Sequence, residues 1–256
     1  MQLPTTVYGE TGTPVVVLHG LFGSSRNWMT AARRLAAGPT GHRVIAMDLR
    51  NHGTSGHVPT MSYTEMAADV AETITALGLG PVALIGHSMG GKTAMLTALQ
   101  TPDLVERLVV VDVSPVTYPP AFVGYAQAMR EADLSAVRRR AEVDEQLVDA
   151  VPLASTRAFL LQNLVLDDEG ARWRPNLPVI EAAIPDISGW PETTGRYEGP
   201  TLFVYGGKSD YVQPEHHDAI TGYFPNATLA EIPEAGHWVH AERLDDFLAT
   251  VTPFLA

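Results

Sequence analysis

Short runs of apolar residues rich in Val and Ile recur along the chain, separated by polar stretches. Six such runs lie at residues 15–18, 44–47, 82–85, 108–111, 201–205 and 228–232. Most of them are continuous rather than alternating between apolar and polar positions, and this pattern is typical of parallel strands that are covered on both faces. The pattern therefore predicts a buried, mainly parallel sheet.

Helical patterns separate these predicted strands. They cover residues 62–77, 90–101, 215–224 and 243–254, and Pro102 ends the second of them. Alternation of strand and helix favours an α/β fold with a doubly wound, mostly parallel sheet. Ligands of such sheets bind beyond the carboxyl ends of the strands, so we expect the functional residues there.

The alternation breaks from about residue 114 to residue 198, where helical patterns follow one another without an intervening strand. Prolines cluster at both ends of this stretch. We interpret residues 115–198 as a helical cap, or lid, inserted into an α/β core formed by residues 1–114 and 199–256. Because the insertion follows the carboxyl end of a strand, it is expected over the mouth of the site. A small helical domain elsewhere on the molecule is the alternative.

Composition and charge narrow the possible functions. The 256 residues are 45% hydrophobic and 18% charged, as in an ordinary globular protein, and the net charge of −12 disfavours nucleic acid and anionic membranes as partners. The absence of cysteine excludes disulfides, thiolate metal sites and a cysteine nucleophile. With no signal peptide at the N-terminus and no apolar stretch long enough to span a membrane, we expect a cytoplasmic protein.

The GHSMGG motif of residues 86–91 is the strongest chemical signal. It contains G-x-S-x-G, follows a predicted strand and opens a helix. At such a sharp turn the central serine, Ser88, is held in a strained conformation that exposes its hydroxyl, and small neighbours let strand and helix approach closely. A serine hydroxyl is a weak nucleophile, so this interpretation requires a histidine base elsewhere.

The same residues also match a phosphate-binding loop. Gly86, Gly91, Lys92 and Thr93 satisfy G-x-x-x-x-G-K-[ST], and RLVVVD at residues 107–112 has the form of a magnesium-holding strand. Met89 stands where such loops usually carry a glycine, and a nucleotide site leaves the other motifs unexplained. Lys92 is then a polar residue at the start of the helix.

The AGHWVH motif of residues 235–240 follows the last predicted strand. His237 on this loop can reach over the carboxyl end of the sheet, and after a nucleophile elbow it is the expected general base. A metal pair of His237 and His240 is conceivable but lacks a third ligand. The neighbouring His216 and His217 lie on a predicted helix and are expected to be exposed.

The HGLFGS motif of residues 19–24 comes directly after the first strongly apolar strand. Acyl transfer needs backbone N–H donors aimed at the oxyanion. The residue after the nucleophile, Met89, supplies one donor, and Leu21 is the expected second donor, with Phe22 lining the acyl pocket. A tight turn without a catalytic role is the alternative for this motif.

Taken in order, HGLFGS, DLRNHGTS at residues 48–55, GHSMGG and AGHWVH resemble the α/β-hydrolase superfamily over nearly the whole chain. In detail, DLRNHG, GHSMGGK, VVVDVSPV and AGHWVHAE resemble the small YbfF-type bacterial esterases and their mitochondrial relatives, a group that includes alcohol acyltransferases. This resemblance implies hydrolysis of acyl esters or thioesters through a serine acyl-enzyme, without a cofactor or metal. Asp48 and Arg50 are interpreted as a structural charged pair that ties their loop.

Two aspartates compete for the acid that orients His237. Asp210 lies in GGKSDYVQP after the strand at residues 201–205, and Asp112 ends the strand at residues 108–111. Both are expected at the same edge of the sheet, so geometry does not choose between them. The apolar run around Asp112 would bury a carboxylate that then needs a partner, whereas Asp210 lies in a wetter turn. The resemblance also places the acid in VVVDVSPV, and we predict Asp112.

The sequence thus predicts a serine carboxylic ester hydrolase whose partner is a small-molecule acyl ester or thioester with short to medium acyl groups. Candidate apolar lining in the cap comes from Phe122, Tyr125, Phe159, Trp173 and Trp190, each of which could instead pack the cap's own core. Acyl transfer to an alcohol and a catalytically idle ligand receptor remain as alternatives.

Overall fold

The structure, a computed structural model, describes residues 1–38 and 41–256. Its strands are β1 (Thr5–Tyr8), β2 (Pro14–Leu18), β3 (Arg43–Met47), β4 (Val82–His87), β5 (Val105–Val111), β6 (Leu164–Asp167), β7 (Gly170–Trp173), β8 (Thr201–Gly206) and β9 (Ala227–Ile232). Seven of them form one sheet in the order β1-β3-β2-β4-β5-β8-β9, in which only β1 runs antiparallel to its neighbour. The predicted α/β fold with a mostly parallel sheet is confirmed.

Helices connect the strands and cover the sheet. They are α1 (Met29–Ala37), α2 (Tyr63–Ala76), α3 (Met89–Gln100), α4 (Val123–Glu131), α5 (Arg140–Leu147), α6 (Ala154–Leu161), α7 (Leu177–Ser188), α8 (His217–Tyr223), α9 (Val239–Glu242) and α10 (Leu244–Leu255). All six predicted strands form, each within a few residues of the predicted bounds. The short edge strand β1 is added to them.

The continuous apolar runs form strands because both faces of the sheet are covered. Along β2, Val16 and Leu18 pack in the core on the side of α2 and α3, while Val15 and Val17 pack with Trp28 on the side of α1 and α10. All four side chains are fully buried. Since side chains alternate between the faces of a strand, only a sheet with two covered faces buries every position of such a run.

The strand register brings the chemically active loops to one edge of the sheet. Leu18 pairs with Gly86, His87 pairs with Val111, and Gly206 pairs with Ile232. The loops that follow β2, β4, β5, β8 and β9 therefore begin close together at the carboxyl edge.

Residues 115–198, the predicted cap, carry α4 to α7 and also a two-stranded antiparallel hairpin, β6–β7. The expectation of helices without an intervening strand was therefore wrong. Each strand of the hairpin has only four residues, which is too short for a clear alternating pattern. The turn is closed by the Asp167 side chain, which accepts from the Glu169 amide at 3.1 Å, and by Gly170 at φ 110°.

Lys92 of α3 ties the start of this insertion and the end of its last helix, α7, to the core. Its Nζ donates to the carbonyl of Val116 at 2.7 Å and to the carbonyls of Ser188 and Gly189 at 3.0 and 2.5 Å. The side chain is 1% exposed, and its ammonium lies 4.7 Å from the ring centre of Tyr118. A single buried cation thus holds the start of the insertion and the end of α7.

None of the helices in the described part of the chain is long and apolar enough to cross a membrane.

Candidate active site

Ser88 stands on the sharp turn between β4 and α3. Its backbone has φ 53° and ψ −120°, and its amide donates to the carbonyl of Val111 at 3.0 Å. The turn requires glycine because a Cβ on Gly90 would lie 2.5 Å from the carbonyl oxygen of His19, and one on Gly91 would lie 2.6 Å from Val113. The hydroxyl-bearing residue is therefore presented at the carboxyl edge of the sheet, as the motif predicts.

His237 lies on the loop between β9 and α9 and contacts Asp112 at the end of β5. The distance from His237 Nδ1 to Asp112 Oδ2 is 2.7 Å. The His237 side chain is 17% exposed and that of Asp112 is fully buried. With Nδ1 engaged in this way, Nε2 is the imidazole nitrogen left for a reacting group.

The Asp112 carboxylate is held by three donors. Gly206 N donates to Oδ1 at 2.9 Å, and Ser209 Oγ donates to Oδ2 at 2.5 Å beside the His237 contact. Such a buried carboxylate is stable only when its oxygens are satisfied. Asp210, the alternative acid, is exposed and does not contact His237.

Two further rings position His237. His87, the residue before the candidate nucleophile, donates from Nε2 to the carbonyl of His237 at 2.9 Å, and its ring centre lies 4.7 Å from that of His237. Burial lowers the pKa of His87 well below its usual value, so the ring is neutral. On another side, Tyr211 stacks on the imidazole with ring centres 4.3 Å apart. The imidazole is therefore fixed from its backbone and from one face.

The candidate oxyanion loop follows β2. The amide of Met89 is the first of α3 and so has no intrahelical acceptor. The amide of Leu21 donates to no other residue of the described chain. Phe22 has φ 58°, and its amide donates to His52 Nε2 at 3.1 Å while its carbonyl accepts from Asn163 Nδ2 at 2.7 Å.

His52 serves this loop as a neutral acceptor. Its Nδ1 donates to the carbonyl of Arg50 at 3.0 Å, which leaves Nε2 free to accept from Phe22. Burial lowers the pKa of His52 to about 3, so the ring stays uncharged near neutral pH. The loop conformation therefore depends on one residue from the core and on Asn163 from the insertion.

The expected charged pair between Asp48 and Arg50 does not form. Asp48 accepts from the backbone amides of Ser25 and Thr54, each at 2.7 Å. Arg50 instead pairs with Asp69 of α2, with Nε 2.7 Å from Oδ2. Both residues are structural as predicted, but each ties the loop to a different element, because neighbouring side chains on the loop point in different directions.

The structure gives the phosphate-loop and metal alternatives no support. The three N–H groups of the Lys92 ammonium donate to the carbonyls of Val116, Ser188 and Gly189, so none is left for a phosphate. Asp112 is hydrogen-bonded to His237. His240 is buried and stacks on Trp28 with ring centres 4.3 Å apart. Within residues 1–38 and 41–256, no group of three His, Asp or Glu side chains is placed to hold a metal ion.

Two cavities meet at Ser88. The large cavity has a volume of about 490 Å³ and is lined by His237 and by the aromatic side chains of Phe22, Phe122, Tyr125, Phe159 and Trp238. The small cavity has a volume of about 40 Å³ and lies toward Met89, Val113, Tyr118, Ile187 and Tyr211. Ser88, Leu21 and Phe122 line both cavities.

The five candidate aromatics of the cap divide into two groups. Phe122, Tyr125 and Phe159 line the large cavity. Trp173 and Trp190 line neither of the two cavities and pack against the hydrophobic core, which is the alternative that the sequence left open for each of them. The pattern of apolar residues does not distinguish a side chain that faces a cavity from one that faces a neighbouring helix.

Sequence reasoning missed Ser209, Tyr211, His52 and Asn163. The segment GGKSDYVQP points to Asp210 by its position after a strand, but its flanking residues Ser209 and Tyr211 contact the Asp112–His237 pair. His52 lies in DLRNHG, a motif that was noted for its charged residues. Asn163 carries no local signal, because its role depends on the insertion folding back onto the oxyanion loop.

Several known proteins are similar to this chain over most of its length. Residues 13–244 match the family model described as alpha/beta hydrolase fold. The chain is 46% identical over 257 residues to the sn-1-specific diacylglycerol lipase ABHD11 of Mus musculus, covering 97% of this chain and 83% of that protein. It is 36% identical over 250 residues to the esterase YbfF of Escherichia coli (strain K12), covering 96% and 94% of the two chains.

A solved structure described as a marine microorganism esterase superimposes with a TM-score of 0.94 at 36% identity, covering 99% of both chains. The predicted resemblance to the YbfF-type esterases is therefore confirmed, and the chain is an enzyme of the carboxylesterase-type serine hydrolases. By its matched length, its sheet topology and these relatives, it belongs to the α/β-hydrolase fold family.

Proposed function

We propose that this protein hydrolyses uncharged carboxylic esters or thioesters through an acyl-enzyme formed on Ser88, with His237 as general base and Asp112 as the acid that orients it. The observation that carries the proposal is the contact of 2.7 Å between the buried Asp112 carboxylate and His237 Nδ1, in a cavity that His237 shares with the strained Ser88. Nucleophile, base and orienting acid are the three groups that serine acyl transfer requires.

The reaction proceeds in two balanced steps. Ser88 Oγ bonds to the substrate carbonyl carbon while its proton passes to His237 Nε2. Collapse of the tetrahedral intermediate breaks the bond to the leaving oxygen or sulfur, which takes the proton from His237. Water then enters, gives a proton to His237 and attacks the acyl-enzyme, and the carboxylic acid leaves as Ser88 Oγ regains the proton.

The amides of Leu21 and Met89 stabilise the negative charge that develops on the carbonyl oxygen. Such donors contribute most when they are held in place before the reaction begins. His52 accepts from the Phe22 amide and Asn163 donates to the Phe22 carbonyl, so the Leu21–Phe22 segment is held at both atoms. Met89 is held by the turn at Ser88 that opens α3. The oxyanion donors are thereby fixed by the core and the insertion together.

The cavity chemistry favours uncharged substrates of moderate size. The aromatic walls of the large cavity suit apolar groups, and the net charge of −12 disfavours anionic ones. The names of the relatives, an esterase and a diacylglycerol lipase, support ester substrates. We accordingly assign esters or thioesters with short to medium acyl groups.

The test combines active-site labelling with one substitution. A fluorophosphonate probe should label Ser88, as located by peptide mass mapping, and Ser88→Ala should lose at least roughly 10⁴ in kcat for p-nitrophenyl butyrate, because only oxyanion and binding contributions remain. Ser135→Ala, at an exposed position of the insertion, is the matched control and should retain wild-type turnover. Labelling of another residue, or an active Ser88→Ala variant, would refute the mechanism.

The same assay separates the alternatives. Release of the free acid identifies hydrolysis, whereas formation of a new ester when an alcohol is added identifies acyl transfer. A wild-type protein that binds esters but neither turns them over nor reacts with the probe would be a ligand receptor.

A further inference from the structure

The two cavities at Ser88 differ about twelvefold in volume, at about 490 and 40 Å³, and they differ in which catalytic groups they contact. His237 lines the large cavity and is not part of the wall of the small one. Met89, a candidate oxyanion donor, lines the small cavity. Because the two cavities differ in this way, the acyl chain and the leaving group of an ester are not interchangeable at the site.

A tetrahedral intermediate at Ser88 has four substituents. One is Ser88 Oγ, and a second is the oxyanion, which faces the amides of Leu21 and Met89. The remaining two are the acyl chain and the leaving group, and two cavities are present to receive them. Each cavity therefore takes one side of the ester.

The position of His237 determines which cavity holds the leaving group of the ester and which holds the acyl chain. The base must return its proton to the leaving oxygen, so this oxygen has to lie within hydrogen-bond reach of His237 Nε2. Tyr211 lines the small cavity and stacks on the imidazole at 4.3 Å, so it covers the face of His237 on that side. A leaving group is thus accessible to His237 from the large cavity.

This inference rests on the proposed function: we propose that the large cavity is the alcohol subsite and the small cavity is the acyl subsite. Phe22 lines the large cavity alone, so it belongs to the alcohol subsite and not to the acyl pocket expected from the sequence. The preferred substrates are then esters of a small carboxylic acid with a bulky, apolar alcohol. A water-sized group needs roughly 10–15 Å³ of such space, so the small cavity accommodates about three carbon atoms beyond the carbonyl. Acetyl to butyryl groups fit, and longer acyl chains do not.

The walls of the two subsites agree with this assignment. The large cavity is bounded by Phe159 and Trp238, whose ring centres lie 5.6 Å apart, and its lining includes the exposed Arg26. The wall of the small cavity includes Ile187 and Tyr63, which are joined by a hydrogen bond of 2.7 Å from the Tyr63 hydroxyl to the Ile187 carbonyl. The volume of about 40 Å³ therefore sets the length limit of the acyl subsite.

Two isomeric esters test the orientation directly. Hexyl acetate and methyl heptanoate have the same formula and differ only in which side of the ester carries the long chain. Each methylene that does not fit a pocket lowers kcat/KM by roughly tenfold or more. We therefore expect kcat/KM for hexyl acetate, measured by pH-stat titration, to exceed that for methyl heptanoate by at least about 100-fold. Rates of alkaline hydrolysis of the two esters provide the correction for intrinsic reactivity. Equal rates, or a preference for methyl heptanoate, would overturn the assignment.

Substitutions in the two walls give a second test. Ile187→Ala should lengthen the tolerated acyl chain of methyl esters by one or two carbons and leave the dependence on alcohol length unchanged. Phe159→Ala is the matched variant of the large cavity and should change the dependence on alcohol length alone. The opposite result, in which Phe159→Ala shifts the acyl limit, would assign the acyl chain to the large cavity.

Fluorophosphonate labelling of Ser88 in each variant counts the folded, competent sites and normalises the rates. If Ser88 is labelled and the isomer preference is reversed, the subsite assignment fails while the proposed function stands. If Ser88 is not labelled and neither ester is cleaved, the proposed function fails and the assignment fails with it.

Discussion

Among residues 1–38 and 41–256, three of the four non-glycine residues with positive φ belong to the candidate site. Phe22, Ser88 and Asp112 have φ values of 58°, 53° and 52°, and the fourth, Asn51, lies in the loop that carries His52. Such conformations cost on the order of 1–3 kcal/mol each and persist only where neighbours enforce them. Here the amides of Ser88 and Asp112 donate to the next strand, at Val111 and Val204. The sheet itself therefore holds these side chains in place.

Single substitutions test whether Asp112 or Asp210 is the acid that orients His237. We expect Asp112→Asn to lose on the order of 10⁴ in kcat, because the amide favours the wrong tautomer of His237, while Asp210→Asn stays near wild type. Thermal unfolding of each variant controls for folding. A large loss for Asp210→Asn with an active Asp112→Asn would reverse the assignment.

At the scale of elements, buried hydrogen bonds add to apolar packing in holding the insertion on the core. Lys92 binds the carbonyl of Val116 near the start of the insertion and those of Ser188 and Gly189 at the end of α7, and Asn163 binds the oxyanion loop from the middle of the insertion. Because these contacts reach both cavities, the position of the insertion and the shape of the site are coupled.

Lys92→Met tests this attachment. The substitution keeps the length of the side chain but leaves buried carbonyls without their donor, at a cost of about 1–3 kcal/mol. We expect a lower urea midpoint and faster amide exchange at residues 116–118 and 186–190. Lys208→Met, which removes an exposed lysine paired with Glu234, is the control and should change neither quantity. Unchanged exchange at residues 116–118 and 186–190 in Lys92→Met would contradict the role of Lys92.

At the scale of the whole molecule, buried histidines link stability to pH. Burial lowers the pKa of His19, His52, His87 and His240, with values of about 3 for His52 and His240. Above the unfolded value of about 6.5 these groups are neutral in both states and have no effect on stability. Below it the unfolded chain binds protons that the folded protein excludes, so stability falls as the pH falls.

For a histidine with a folded pKa of about 3, this loss is on the order of 2 kcal/mol at pH 5 relative to pH 7. We expect His240→Phe, which keeps an aromatic ring against Trp28, to reduce the difference in unfolding free energy between pH 7 and pH 5 by about this amount. Urea titrations at the two pH values measure it, with the exposed His217→Gln variant as the control. An unchanged difference in His240→Phe would show that His240 does not contribute.

What the sequence determined by itself rests on local patterns. Continuous apolar runs predict strands because a sheet covered on both faces buries every position, and this is why the fold class followed from periodicity alone. The motifs around Ser88, His237 and Leu21 could be identified because each is a short segment whose glycines are demanded by one turn. Four-residue strands such as β6 and β7 have too few positions for the same argument.

The tertiary structure decided everything that depends on which distant segments meet. Asp112 and Asp210 are both plausible from sequence, but strand β5 delivers Asp112 to His237, and the turn after β8 points Asp210 to solvent. In the same way, Arg50 forms its ion pair with Asp69 rather than with Asp48. Lys92 donates hydrogen bonds to carbonyls near the start of the insertion and at the end of α7. Even the unequal division of the cavity at Ser88 follows from packing between the insertion and the core, because side-chain volume and direction at such contacts have no periodic signature in the chain.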